Sequence, residues 1–162
     1  MDGPDPRGIH AWQRIDESMT TSGSLVDADL EEVAALGTRH VIDLAPRQHE
    51  LSLKDEGEKL KLLGIGYTLI EVPFNKPTEQ HYLCFVAALE QAPRPVHLHC
   101  VYNFRVSAFL YRYHIECGMD AREAHAIMRE HWSPENSDHP AAQPWKAFIE
   151  RTSQAHQLRS TG

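Results

Sequence analysis

The sequence lacks any apolar run near the ~20 residues that a membrane-spanning helix needs. Its first twelve residues are polar and rich in Pro and Gly, unlike the charged-then-apolar pattern of a secretory signal. Basic residues are in deficit: 16 Lys and Arg stand against 23 Asp and Glu, a net charge of −7. Such a surface repels a phosphate backbone, which argues against nucleic acid as a partner. Cysteine is scarce. The three copies (Cys84, Cys100, Cys117) are an odd number with no Cys-x-x-Cys pair, which argues against a disulfide scaffold and suits a reducing, cytoplasmic setting. Nine Gly and ten Pro are too few for a low-complexity chain. What is present is ordinary: 162 residues, 41% apolar and 24% charged, enough for one domain with a core. Histidine is the excess, with 11 copies expected mostly on the surface.

Residues 1–12 carry little apolar surface and read as a disordered tail, as do residues 157–162. Residues 13–156 read as a single domain. Asp27 and Gly37 bound a first helix, and HVIDL (40–44) is a strand. A second helix is expected from Ser52, with Leu53, Leu60 and Leu63 as its buried stripe. YTLIEV (67–72) is a second strand. Thr78 caps a third helix, in which Tyr82, Phe85, Val86 and Leu89 share a face. VHLH (96–99) is a third strand, followed at once by a helix with Val106, Phe109, Leu110 and Tyr113 inward. Asp120 caps another helix, and Trp145, Phe148 and Ile149 mark the last. Strands separated by helices need crossovers, so the expected fold class is α/β: a central parallel, or mostly parallel, sheet with helices on both faces.

Ligands of such sheets bind beyond the carboxyl ends of the strands. The third strand delivers His99 and Cys100 there, then Val101, Tyr102, Asn103, Phe104 and Arg105 at a helix start. Free N–H groups at that start attract an anion. The helix dipole and Arg105 both favour thiolate over thiol at Cys100, and Arg105 can grip an oxyanion with two parallel hydrogen bonds. Asn103 is the best candidate for a positive φ in a loop without glycine. Tyr102 and Phe104 either stack on a ligand or plug the pocket. His97 and His99 share a strand face, but His125 and His131 do not supply further ligands at metal spacing, so no metal site is expected. Cys84 and Cys117 are expected to be buried and inert, and Arg112 to be a solvated or C-terminal helix charge.

The segment VHLHCVYNFRVSAF resembles the signature loop of the cysteine-dependent phosphatases, the tyrosine and dual-specificity superfamily. The order upstream agrees: the turn Thr21-Ser22-Gly23, the strand VIDL, then YTLIEVPF with its Pro-Thr helix start. Over residues 15–131 the chain is similar to a small bacterial phosphatase-like group. The resemblance implies a phosphatase-like fold and hydrolysis of a phosphate monoester through a cysteinyl-phosphate on Cys100. Arg105 would clamp the phosphate, His99 would order the loop, and the N–H groups of 101–105 would cradle the oxygens. No cofactor is implied. The implied partner is a phosphorylated small molecule or protein, or an inorganic oxyanion, with no nucleic acid and no membrane.

The sequence departs from that family in four ways. Four residues, rather than five, separate Cys100 from Arg105. The loop has no glycine, and Val106 stands where the family keeps Ser or Thr. Asn75 lies in the stretch that should carry an acidic proton donor, leaving Glu71 and Glu79 as possible general acids. Losing acid catalysis typically costs roughly 10²–10⁴ in rate, so hydrolysis is expected to be weak or absent. A four-residue loop is also the size seen in rhodanese-like sulfurtransferases, which would place a persulfide on Cys100. The third reading is a catalytically silent pseudophosphatase that binds an anion or a protein.

Overall fold

Each strand here is four residues long, and apolar side chains of the sheet enter two different cores. The computed structural model describes the backbone of residues 3–161 and the side chains of residues 3–151. In chain order the elements are β1 (Gln13–Asp16), β2 (Met19–Ser22), α1 (Asp27–Ala35), β3 (His40–Asp43), α2 (Glu56–Leu62), β4 (Gly66–Leu69), α3 (Glu79–Gln91), β5 (Val96–His99), α4 (Phe104–Glu116), α5 (Ala121–Arg129), a 3-10 turn (Pro134–Asn136) and α6 (Ala142–Thr161). The sheet order is β1-β2-β5-β3-β4, with β1 antiparallel to β2 and the other pairs parallel. The expected mostly parallel α/β architecture is what forms.

Ile42, Val96 and Leu98 enter the larger core, with Phe85 of α3, Phe109 of α4 and Trp145 and Phe148 of α6. Its aromatic rings interlock: Phe109 stacks on Phe148 at 5.0 Å and meets Phe85 edge-on at 5.3 Å. Val41 points to the opposite face, into a smaller core with Leu30, Val33, Leu60 and Ile65. Thr78 caps α3 by accepting from the His81 N–H, and Asp120 caps α5 through the Arg122 and Glu123 N–H groups.

Several expectations need correction. Residues 3–12 are not a loose tail. Ile9 is buried in the smaller core, Trp12 stacks on His97 at 5.2 Å, and the Gly23 N–H donates to the His10 carbonyl. One well-placed Ile and one Trp anchor a segment whose average composition is polar; Met1 and Asp2 lie outside the described residues. At the other end, the helical backbone of α6 continues through residues 157–161, where composition suggested a tail, and Gly162 lies outside the described residues. The second helix starts at Glu56, not Ser52, because Asp55 sits in the left-handed region at φ 57°. β1 and β2 were not expected. The MTTS of β2 is wholly buried yet polar, so it carries no apolar alternation.

Arg112 is buried against Glu79 rather than solvated, while Cys84 and Cys117 are exposed. His97, His99 and His114 are buried, and among the described histidines only His10 and His139 are exposed. No helix among the described residues is long and apolar enough to cross a membrane.

Candidate functional site

The chain leaves β5 at His99 and enters α4 at Phe104, so a four-residue loop spans the carboxyl edge of the sheet. The loop's carbonyls are tied back to the body. The Cys100 carbonyl lies 3.2 Å from His99 Nδ1, and the Val101 carbonyl accepts from the Ser24 N–H at 2.9 Å. In a trans peptide the next N–H points opposite to the carbonyl, so the Val101 and Tyr102 N–H groups turn away from these anchors. None of the N–H groups of 101–105 has an acceptor among the described residues. Unpartnered backbone donors in a short loop are the material from which an anion cradle is built.

Asn103 adopts φ 68°, the left-handed conformation expected of it. Its buried amide group donates to the Ala11 carbonyl (3.0 Å) and to Thr21 Oγ1 (2.8 Å), while its oxygen accepts from Ser107 Oγ. Gly23 is required at the end of β2. A Cβ there would lie 2.6 Å from the Val101 oxygen and 2.5 Å from the His10 ring.

Arg105 points inward. Its Nε donates to the Val72 carbonyl at 2.7 Å, and its guanidinium lies over the Phe74 ring at 5.0 Å. Burial lowers its pKa from the usual value, and the neighbouring Cys100 and Asp43 oppose that shift. Cys100 itself is fully buried. Arg105, but not Cys100, lines a cavity of about 230 Å³ together with His49, Phe74, Val101, Tyr102, Phe104 and His139. Phe104 stacks on Trp132 at 4.7 Å and serves as wall, whereas Tyr102 is 46% exposed at the rim.

The two histidines were invisible to sequence reasoning, because only tertiary folding brings them to the loop. In each, Nδ1 accepts a backbone N–H two residues on, from Leu51 and Ala141, both at 3.0 Å. A neutral ring held this way carries its proton on Nε2. A larger, more open groove lies along the β4 edge, beside His40, Cys84 and Gln91, and shares no residue with this site.

The candidate acids have other work. Glu71 is exposed and accepts from the Arg47 N–H at 2.7 Å. Glu79 pairs with Arg112 at 2.6 Å, which holds its pKa below the usual value, the opposite of what a proton donor needs. Neither lines the cavity.

Below the loop, Asp43, Glu56 and His99 bring one ligand atom each within 4.8 Å of one another, a donor set a small cation could use. His99 Nε2 lies 2.6 Å from Glu56 Oε2, a hydrogen-bond length filled by a proton, and Arg47 and the Tyr67 hydroxyl already occupy Asp43. The trio is therefore an ion-pair network. Burial opposes a charge on His99, but Asp43 and Glu56 outweigh it and hold its pKa up at about 9. Its neighbour His97 is the reverse. Burial drives its pKa well below the usual value, and its two ring nitrogens bond the Thr20 and Ser22 hydroxyls at 2.8 Å each.

No family model and no curated protein matches the sequence. Solved structures do. A "putative phosphatase (DUF442)" from Shewanella putrefaciens CN-32 superposes with a TM-score of 0.77 at 24% identity, over 91% of this chain and 92% of that one. A "putative phosphatase" from Neisseria meningitidis Z2491 gives 0.64 at 25% identity over 88% and 96%. TpbA from P. aeruginosa, solved with phosphotyrosine, gives 0.62 at 15% identity over 97% and 100%. The chain has the tyrosine/dual-specificity phosphatase fold. Within this phosphatase fold, the loop 100–105 occupies the carboxyl edge of the central parallel strands, with Cys100 at its root and Arg105 in the first turn of α4.

Proposed function

We propose that this phosphatase-fold chain binds an oxyanion in the loop 100–105 and hydrolyses phosphate monoesters slowly through a cysteinyl-phosphate on Cys100. The observation that carries this reading is Arg105, held inward beside Cys100 and lining the cavity, next to five loop N–H groups that have no acceptor among the described residues. Cys100 Sγ attacks phosphorus as the ester oxygen leaves, and water then cleaves the S–P bond to release phosphate and the thiolate. No carboxyl group among the described residues lines the cavity, so the leaving oxygen departs without a proton from a carboxylic acid. Substrates with stable leaving groups, such as aryl phosphates, are therefore favoured over alkyl ones. The expected partners are phosphorylated small molecules or proteins, in the cytoplasm.

Hydrolysis of an aryl phosphate is the test. Cys100→Ser abolishes it, and Arg105→Lys reduces kcat/KM by roughly tenfold or more, because a lysine cannot make the two-pronged grip. Activity that survives Cys100→Ser overturns the covalent route.

The silent reading has an observation of its own: Cys100 is fully buried and absent from the cavity lining. A silent module hydrolyses nothing yet is stabilised by inorganic phosphate, by about 2.7 kcal/mol at ~100 times the dissociation constant. Thiocyanate production from thiosulfate and cyanide, lost in Cys100→Ser, would instead identify sulfur transfer.

A further inference from the structure

Under the anion loop lies a buried charge cluster that the proposed chemistry leaves without a role. His99 presents both ring nitrogens to oxygen: Nδ1 to the Cys100 carbonyl at 3.2 Å and Nε2 to Glu56 Oε2 at 2.6 Å. A carbonyl and a carboxylate can only accept, so both nitrogens must donate and the ring is an imidazolium. The surrounding charges pair off. Asp43, 3.7 Å from His99 Nε2, is already answered by Arg47, the Tyr67 hydroxyl and the Ala45 N–H. His97, stacked on His99 at 6.1 Å, bonds only hydroxyls, and Cys100 and Arg105 face the cluster from the loop side. Glu56 is almost fully buried, and its second oxygen has no partner, so His99 is the cation that answers its charge.

We propose that Glu56, 43 positions before His99 and on a different element, is a positioning residue of the anion loop. It holds His99 doubly protonated, the second ring N–H holds the Cys100 carbonyl, and the rigid peptide plane then aims the Val101 N–H toward the anion. The proposal shares with the proposed function only the assumption that loop 100–105 is the reactive site. The left-handed Asp55 is what starts α2 at this residue and sets Glu56 in its first turn.

The test reads the ring and the thiol, so a chain that hydrolyses nothing still answers it. Nitrogen-15 NMR of the wild-type chain at pH 7 is expected to show both His99 nitrogens protonated. In Glu56→Gln the ring becomes neutral at pH 7. Peptide-mapped alkylation of Cys100 by iodoacetamide then slows roughly tenfold, because the loop that presents the sulfur loses its anchor at the Cys100 carbonyl. A singly protonated His99 in the wild-type chain overturns the proposal, and this holds even if Glu56→Gln fails to fold. An unchanged ring and alkylation profile in a folded Glu56→Gln chain also overturns it, leaving Glu56 a purely structural group.

Discussion

Asn103 carries more of the site than its uncharged side chain suggests. It supplies the positive φ that lets four residues turn from β5 into α4, and its amide group reaches the Ala11 carbonyl and Thr21 Oγ1. These two contributions separate by substitution. Asn103→Gly keeps the backbone conformation and loses the hydrogen bonds; Asn103→Ala loses both. A left-handed non-glycine residue costs ~1–2 kcal/mol, so the Ala variant should be less stable than the Gly variant by about that amount in urea unfolding. Equal stabilities would mean the side chain, not φ, sets the requirement. Either variant should also weaken phosphate binding, because the N–H groups of 101–105 keep their common direction only while the turn holds.

At the scale of elements, the segment before β1 belongs to the site. It stacks Trp12 on His97 under the sheet, gives its Ala11 carbonyl to the loop and places Ile9 in the smaller core. Ile9→Ala is expected to cost about 2–5 kcal/mol, the range for a large-to-small change in a core, and urea denaturation measures it. A loss under ~0.5 kcal/mol would show that the segment lies on the body without being held. Part of this was legible in the sequence. β3, β5 and the capped helices announce themselves through apolar periodicity, Thr78 and Asp120, and the unit Cys100–Arg105 names its own chemistry. β2 was not legible because its hydroxyls are matched to His97 rather than to an apolar face. The segment 3–12 was missed because its anchoring is a few specific contacts in a polar stretch. His49, His139 and Glu56 were missed for a common reason: each acts through tertiary contacts that no local spacing encodes. The expectation that Glu71 or Glu79 serves as acid rested on proximity in sequence, and the fold commits both to other partners.

For the whole molecule, two adjacent buried histidines tie stability to pH in opposite senses. His99 titrates at about 9 in the folded chain and near ~6.5 when unfolded. The folded state therefore binds the extra proton between those values. Its contribution is complete below ~6.5, shrinks as pH rises and is gone above about 9. His97 is held below the usual value by burial first and by the charge of His99 second. Its unfolded state takes up a proton that the folded state refuses, so its contribution is present above ~6.5 and is lost as pH falls. His40, His114 and His131, whose pKa values burial also lowers, act in the same direction as His97. Tyr82, which is buried, and Tyr67, which is half-buried, have pKa values that burial raises, and they add an alkaline loss only above ~10, where unfolded tyrosine ionises. The urea midpoint measured from pH 5 to 9.5 should thus peak near ~6.5 and fall on both sides. Glu56→Gln should reduce the slope of the limb between ~6.5 and 9 while leaving the acid limb in place, because the carboxylate hydrogen-bonded to His99 has been removed and Asp43 remains. A midpoint that stays level or rises from pH 6.5 to 9 in the wild-type chain would mean that His99 carries no extra proton, and the charge assignment under the anion loop would be wrong.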